Sequence, residues 1–211
     1  MTELVFILDR SGSMYGLEKD TIGGFNSMLE KQRGESGEAF VTTVLFDNRV
    51  EFLHDRLLLA EVPTMTDKDY TVRGSTALLD AVGSTIKHIA KIHKYAHPTH
   101  RPEKTLFVII TDGMENASRR FTYEEVKQMI SHEQEKYGWE FLFLGANIDA
   151  AKEGARFGIA AERTVTYKSD EIGTALNYEV LSDAVSDVRA CRPLAAGWSA
   201  RIKSDVKKRG K

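Results

Sequence analysis

The chain carries a single cysteine, Cys191, among 211 residues, so no intrachain disulfide can hold it together. An excess of charge is also missing. The 29 Lys and Arg stand against 31 Asp and Glu, a formal net charge of -2, which gives no global field to steer the protein toward nucleic acid or membrane. No apolar run reaches the roughly 20 residues needed to span a bilayer. The start, Met-Thr-Glu and then a short apolar run, lacks the basic opening and long apolar region of a secretion signal, so a cytoplasmic protein is expected. No Gly-x-Gly-x-x-Gly follows the first apolar run, and no P-loop or Gly-x-Ser-x-Gly elbow occurs. Gly23-Gly24 falls within a helical pattern, where a packing or kink role outweighs phosphate binding. What remains is an ordinary globular composition, 42% hydrophobic and 28% charged. One domain over 1–195 is expected, with 196–211 as a flexible basic tail (Lys203, Lys207, Lys208, Arg209, Lys211) rather than a nucleic-acid arm.

Apolar runs alternate with helical periodicity. Leu4 to Leu8 and Leu106 to Ile110 are continuous apolar runs, as expected of strands buried on both faces of a parallel sheet. Phe40 to Phe46 and Val50 to Leu59 flank the turn Asp47-Asn48, which predicts a hairpin and so one antiparallel edge strand. Trp139 to Leu144 and Thr164 to Tyr167 complete six strands. Helices are expected at Leu17 to Lys31, Thr76 to Tyr95, Thr122 to Tyr137, Ala150 to Phe157 and Ile172 to Ala190. Thr122 and Glu125 make a capping box, and Leu176, Val180, Leu181, Val185 and Val188 line one face of the last helix. The fold class is therefore α/β: a Rossmann-like, doubly wound, mostly parallel six-stranded sheet with one antiparallel edge strand and helices on both faces.

In such a sheet, ligands bind beyond the carboxyl ends of the strands, where the strand order reverses. Asp9 and Asp112 stand at two such ends. Asp9-Arg10-Ser11-Gly12-Ser13 can turn Asp9, Ser11 and Ser13 toward one point, because alternate side chains of extended backbone face the same way. Arg73-Gly74-Ser75-Thr76 sets a hydroxyl at a helix start, and Thr111-Asp112-Gly113 puts a carboxylate on a sharp turn. Asp9, Ser11, Ser13, Thr76 and Asp112 are thus the candidate ligands of a divalent cation. Hard oxygen donors suit Mg²⁺, Mn²⁺ or Ca²⁺. With only two negative charges in the set, the ion should accept an anionic oxygen from outside.

Asp9-x-Ser11-x-Ser13, Gly-Ser-Thr76-Ala-Leu-Leu-Asp80 and Thr-Asp112-Gly, in that order, resemble the von Willebrand factor A domain and its metal-ion-dependent adhesion site. The likeness runs from about Leu4 to Gly145 and fits a stand-alone intracellular domain of the bacterial or phage type. The resemblance implies Mg²⁺ in the site, held directly or through water, and a protein partner whose Glu or Asp completes the coordination. It also implies a binding face including Met14, Tyr15, Met114, Glu115 and Asn116. The expected function is a non-enzymatic, metal-dependent protein-binding module for adaptor or assembly work, with no nucleic-acid or membrane partner.

The alternative is a metal-dependent hydrolase of the phosphatase type. That chemistry needs a second carboxylate two residues after the first, and Ser11 occupies this position. His93 and His97, four apart and followed by His100, suggest a zinc site on one helix face, against which stands the affinity of histidine for a helix carboxyl end. His88 and His132 read as exposed helical positions, and Cys191 as a buried, inert thiol in a late helix.

Overall fold

The computed structural model describes residues 1–210. Six strands, β1 (Thr2–Asp9), β2 (Ala39–Phe46), β3 (Val50–Leu58), β4 (Lys104–Thr111), β5 (Glu140–Ala146) and β6 (Thr164–Tyr167), form one sheet in the order β3-β2-β1-β4-β5-β6. All neighbours are parallel except β2 and β3, whose antiparallel pairing is irregular between Val41 and Val44. The expected architecture, including the antiparallel edge, is present.

Helices α1 (Glu18–Arg33), α2 (Leu78–Tyr95), α3 (Tyr123–Tyr137), α4 (Ala150–Arg156), α5 (Glu171–Arg189) and α6 (Ala200–Arg209) cover the sheet. The central strands bury alternate residues in two cores. Leu4, Phe6, Leu8, Leu106, Val108 and Ile110 pack toward α1 and α5, whereas Val5, Ile7, Phe107 and Ile109 pack toward α2 and α3. This is why those runs are apolar without alternation. The Thr122–Glu125 capping box starts α3 as its sequence predicts. On α5, Val180, Leu181, Val185 and Val188 are buried in the first core, with Leu176 partly buried against it. Among the described residues no helix is long and apolar enough to cross a membrane.

Four local expectations differ. The stretch 196–211, expected as a flexible tail, contains α6, which rests on β6 and α5 with Ile202 buried; of its basic residues, Lys211 lies outside the described residues. One apolar anchor and the ion pairs of Arg209 with Asp170 and Asp205 explain the docking. Cys191 is exposed, at a φ of 56°, just past the end of α5, because the chain reverses there instead of continuing the helix. His93 and His97 do not share a helix face, since α2 stops at Tyr95 and His97 opens a separate 3-10 turn. His88 is half-buried and contacts Asp55 at 2.7 Å, while His132 is exposed.

Gly23 and Gly24 sit side by side in α1 with opposite surroundings. A Cβ on Gly24 would lie 2.4 Å from the Tyr178 ring of α5, while one on Gly23 would meet nothing within 4 Å. The absent side chain at Gly24 lets the two helices approach. Gly23→Ala should therefore stabilise the fold by about 0.5–1 kcal/mol through helix propensity. Gly24→Ala should destabilise it by about 1–3 kcal/mol through overpacking; urea denaturation of the two variants measures both signs.

Candidate metal centre

The parallel register of β1 on β4 runs from Thr2 opposite Lys104 to Leu8 opposite Ile110, so Asp9 and Thr111 emerge side by side. The Thr111 hydroxyl donates to Asp9 Oδ2 at 2.6 Å, and the Ser11 amide donates to Asp9 Oδ1 at 2.7 Å. The Tyr70 hydroxyl donates to the Asp9 carbonyl, fixing the backbone at the strand end. Beyond Asp9 the chain makes a 3-10 turn, Gly12–Met14. The Gly12 amide donates to the Gly74 carbonyl at 3.1 Å, joining the first loop to the second.

The hydroxyls converge. Thr76 Oγ1 donates to Ser11 Oγ at 3.0 Å, and Ser11 Oγ lies 3.1 Å from Ser13 Oγ. A Cβ on Gly113 would fall 2.8 Å from Thr76 Oγ1 and 3.2 Å from Ser13 Oγ. That close approach brings the third loop against the other two. The Asp112 amide meets Asp9 Oδ2 at 3.4 Å, so the five expected residues lie on adjoining loops, with Asp9, Ser11, Thr76 and Asp112 buried and Ser13 exposed.

Asp112 is held from the far side, by Asn147 Nδ2 on Oδ1 and Ser169 Oγ on Oδ2, each at 2.5 Å. Sequence reading missed both. Asn147 follows the end of β5 and Ser169 lies two residues past β6, so the rule that singled out Asp9 and Asp112 would have reached them. Tyr70, in a loop remote in sequence, left no such signal. The expected binding face also changes. Tyr15 and Met114 are exposed, 84% and 60%, but Met14 is buried because the 3-10 turn folds it inward. Glu115 accepts from the Leu79 amide at 2.8 Å at the start of α2, and Asn116 Oδ1 accepts from the Thr76 amide at 2.9 Å.

Burial pushes the Asp9 carboxyl above its usual range, although bonds from Ser11, Thr111 and the Asp112 amide oppose the shift. Asp112 is raised by burial as well, further by the charge of Asp9, and is opposed by Ser169 and Asn147. Among the described residues no cationic side chain relieves the pair. Arg10, between Asp9 and Ser11, turns instead to Asp47 at 3.0 Å and Glu51 at 2.7 Å, and Arg73 also binds Asp47, at 2.8 Å. Burial raises Asp47, yet Arg73, the Arg49 amide and Arg10 outweigh it and leave that carboxyl low. Among the described residues no three His, Cys, Asp or Glu side chains form a metal-binding group. A cation here would rest on two carboxylates and three hydroxyls, a hard donor set. The donor types fit such an ion: three hydroxyls lie within hydrogen-bond reach of one another, the two carboxylates stand at adjoining loops, and Gly113 leaves room where a Cβ would crowd Thr76 and Ser13.

The fold is that of a von Willebrand factor A domain. Proximal thread matrix protein 1 from the mussel byssus superposes with a TM-score of 0.60 at 16% identity, over 88% of this chain and 46% of that one. A further structure of that protein has a zinc-occupied MIDAS motif. A von Willebrand factor type A protein from Catenulispora acidiphila gives 0.58 at 13% identity, over 88% and 42%. Manganese-loaded TRAP protein from Plasmodium vivax gives 0.56 at 14%, over 83% and 72%. The chain spans less than half the length of the first two proteins. No protein-family model matches the sequence, and no curated protein matches it.

The raised carboxyls set a pH dependence. A carboxyl whose folded value lies above its unfolded one binds more protons in the folded state, so stability falls as pH climbs from the usual aspartate range through the shifted value. Asp47 acts oppositely: its contribution is present above the usual range and is lost as pH falls through its lowered value. In chelator, Asp112→Asn should flatten the decline on the alkaline side of the usual aspartate range. Urea unfolding at stepped pH measures it, and a slope equal to wild type would contradict the electrostatic account.

Proposed function

We propose that this chain is a protein-binding module that uses a divalent cation, Mg²⁺ first among the candidates, to capture a Glu or Asp carboxylate of a partner, and that it does so without catalysis. The observation that carries this reading is the gathering of Asp9, Ser11, Ser13, Thr76 and Asp112 on adjoining loops, with no cationic side chain among the described residues paired with the two carboxylates. A bound cation would supply the missing positive charge and, short of anionic ligands, a coordination position for an outside carboxylate. Asp9 and Asp112 would hold it directly or through water, while Ser11, Ser13 and Thr76 offer hydroxyl oxygens. Thr111, Asn147 and Ser169 orient the two carboxylates. The metals named for the structural relatives, zinc and manganese, support a divalent ion. The two carboxylates accept bonds from hydroxyls and amides, and Ser11 stands where an aspartyl phosphatase needs its acid, which supports binding over hydrolysis.

Thermal unfolding with Mg²⁺ and with Mn²⁺ tests the metal. At a hundredfold excess over Kd, a cation bound only by the folded state adds about 2.7 kcal/mol, or roughly 5–10 °C for a domain of this size. Asp9→Ala should abolish the shift and Ser13→Ala, at an exposed ligand, should reduce it; equal responses in all three proteins would contradict the reading. A partner retained with Mg²⁺, released by chelator and lost in Asp112→Ala is the expected result in affinity capture. Metal-dependent turnover of phosphate or carboxylic esters, lost in Asp112→Ala, would replace binding with hydrolysis.

A further inference from the structure

A cavity of about 600 Å³ lies at the pole of the domain opposite the candidate metal centre. Strands β4 and β5 enter the sheet there through Lys104 and Glu140, whereas Asp9 and Asp112 lie beyond the other strand ends. Helices α2 and α3 both finish there, at Tyr95 and Tyr137, so two carbonyl ends add negative potential. Trp139 forms part of the wall, stacked on Phe107 at 5.1 Å and meeting the His93 ring edge-on at 5.3 Å.

Glu133 lines the same cavity. It is only 6% exposed, and its Oε2 has no hydrogen-bond partner. The cations nearby are committed elsewhere or stand outside. His93 Nε2 lies 3.2 Å from Glu3 Oε2, and Arg101 donates to the carbonyls of Ala96 and Lys94. Exposed His132, together with His93 and Lys136, acts on Glu133 only through space, and burial still holds its carboxyl above the usual range. A buried acceptor without a partner is costly in a folded protein and marks a place where a donor belongs. At the mouth stand the exposed rings of Tyr95 and Tyr137 and the exposed ammonium groups of Lys91 and Lys94. The cavity is therefore acidic inside and aromatic along its wall, with Lys91 and Lys94 exposed in its lining together with Glu103, which lies 3.4 Å from the N-terminal ammonium.

We propose that this cavity binds a small molecule with a planar N–H-donating head, a guanidinium or the N–H edge of guanine, and an anionic group at its other end. The Glu133 carboxylate accepts the paired N–H groups. The flat head lies against the aromatic wall, and the anionic end reaches Lys91 and Lys94. The volume falls within the range of small-molecule sites. Two sources share this chemistry, a free guanidino acid and a guanine nucleotide.

Titration of the full chain with L-arginine and with guanosine monophosphate, read on the two tryptophan indole N–H signals, separates them. Trp198→Phe assigns the signals. The expected result is that one probe shifts the Trp139 signal and leaves Trp198 in place, with Kd at or below about 1 mM. Glu133→Gln should weaken that binding about tenfold or more, the loss expected for a charged hydrogen bond. Should Glu133→Gln fail to fold, the double change Lys91→Ala and Lys94→Ala, at exposed positions, decides: weaker binding supports the site, and equal binding overturns it. No shift of Trp139 with either probe at about 10 mM, or unchanged affinity in folded Glu133→Gln, overturns the proposal.

Discussion

The parallel pairing of β1 with β4 is the constraint on which the rest of the molecule depends. Because Leu8 lies opposite Ile110, the two chains leave the sheet together, and the carboxylates of Asp9 and Asp112 emerge from adjacent strands. A one-residue slip in a pleated strand would turn every side chain to the other face. Here it would carry Leu4, Phe6 and Leu8 out of one core and Val5 and Ile7 out of the other. The packing of the cores therefore also fixes the geometry of the site. Apolar burial on both faces supplies the stability, and it holds together two acids that would otherwise repel.

The surrounding charges follow from that arrangement. A buried pair of carboxylates would ordinarily gather arginines, and two arginines are within reach along the chain, one beside each of the first two loops. Both go to Asp47, at the turn between β2 and β3. Asp47 becomes a low-lying, ion-paired carboxylate, while Asp9 and Asp112 remain raised, with no cationic partner among the described residues. Hydrogen bonds from Ser11, Thr111, Asn147 and Ser169 orient the two acids without supplying positive charge. The protein has divided its ion pairs between a structural turn, where they are complete, and an open edge, where they are not.

Much of this was legible in the residues. Continuous apolar runs ending in Asp9 and Thr111-Asp112 announced buried parallel strands, and Asp47-Asn48 announced the hairpin at the edge. The three oxygen-rich loops could be read because they lie at strand ends, where alternation and position constrain the side chains. Residues that act through long-range contact were harder to read. Tyr70 reaches the Asp9 carbonyl from a loop without secondary structure, and no local pattern marks it. The resemblance implied Met14 in the binding face, but a 3-10 turn, a backbone choice invisible to hydropathy, buries it. The charge of the final segment suggested solvent, and a single buried Ile202 with the Arg209 ion pairs was enough to dock a helix. Glu133, a charged residue in a largely polar helix, is among the most buried of α3.

The central claim is that five side chains brought together by the β1 and β4 ends form a cation site. Anomalous diffraction from crystals of the protein grown with Mn²⁺ tests it most directly, since the ion scatters anomalously and its position needs no assumption about ligands. The account predicts one strong peak among the oxygens of Asp9, Ser11, Ser13, Thr76 and Asp112, at roughly 2.0–2.5 Å from those that bind it directly. A map with no peak there, or with Mn²⁺ held only by other residues, would contradict it.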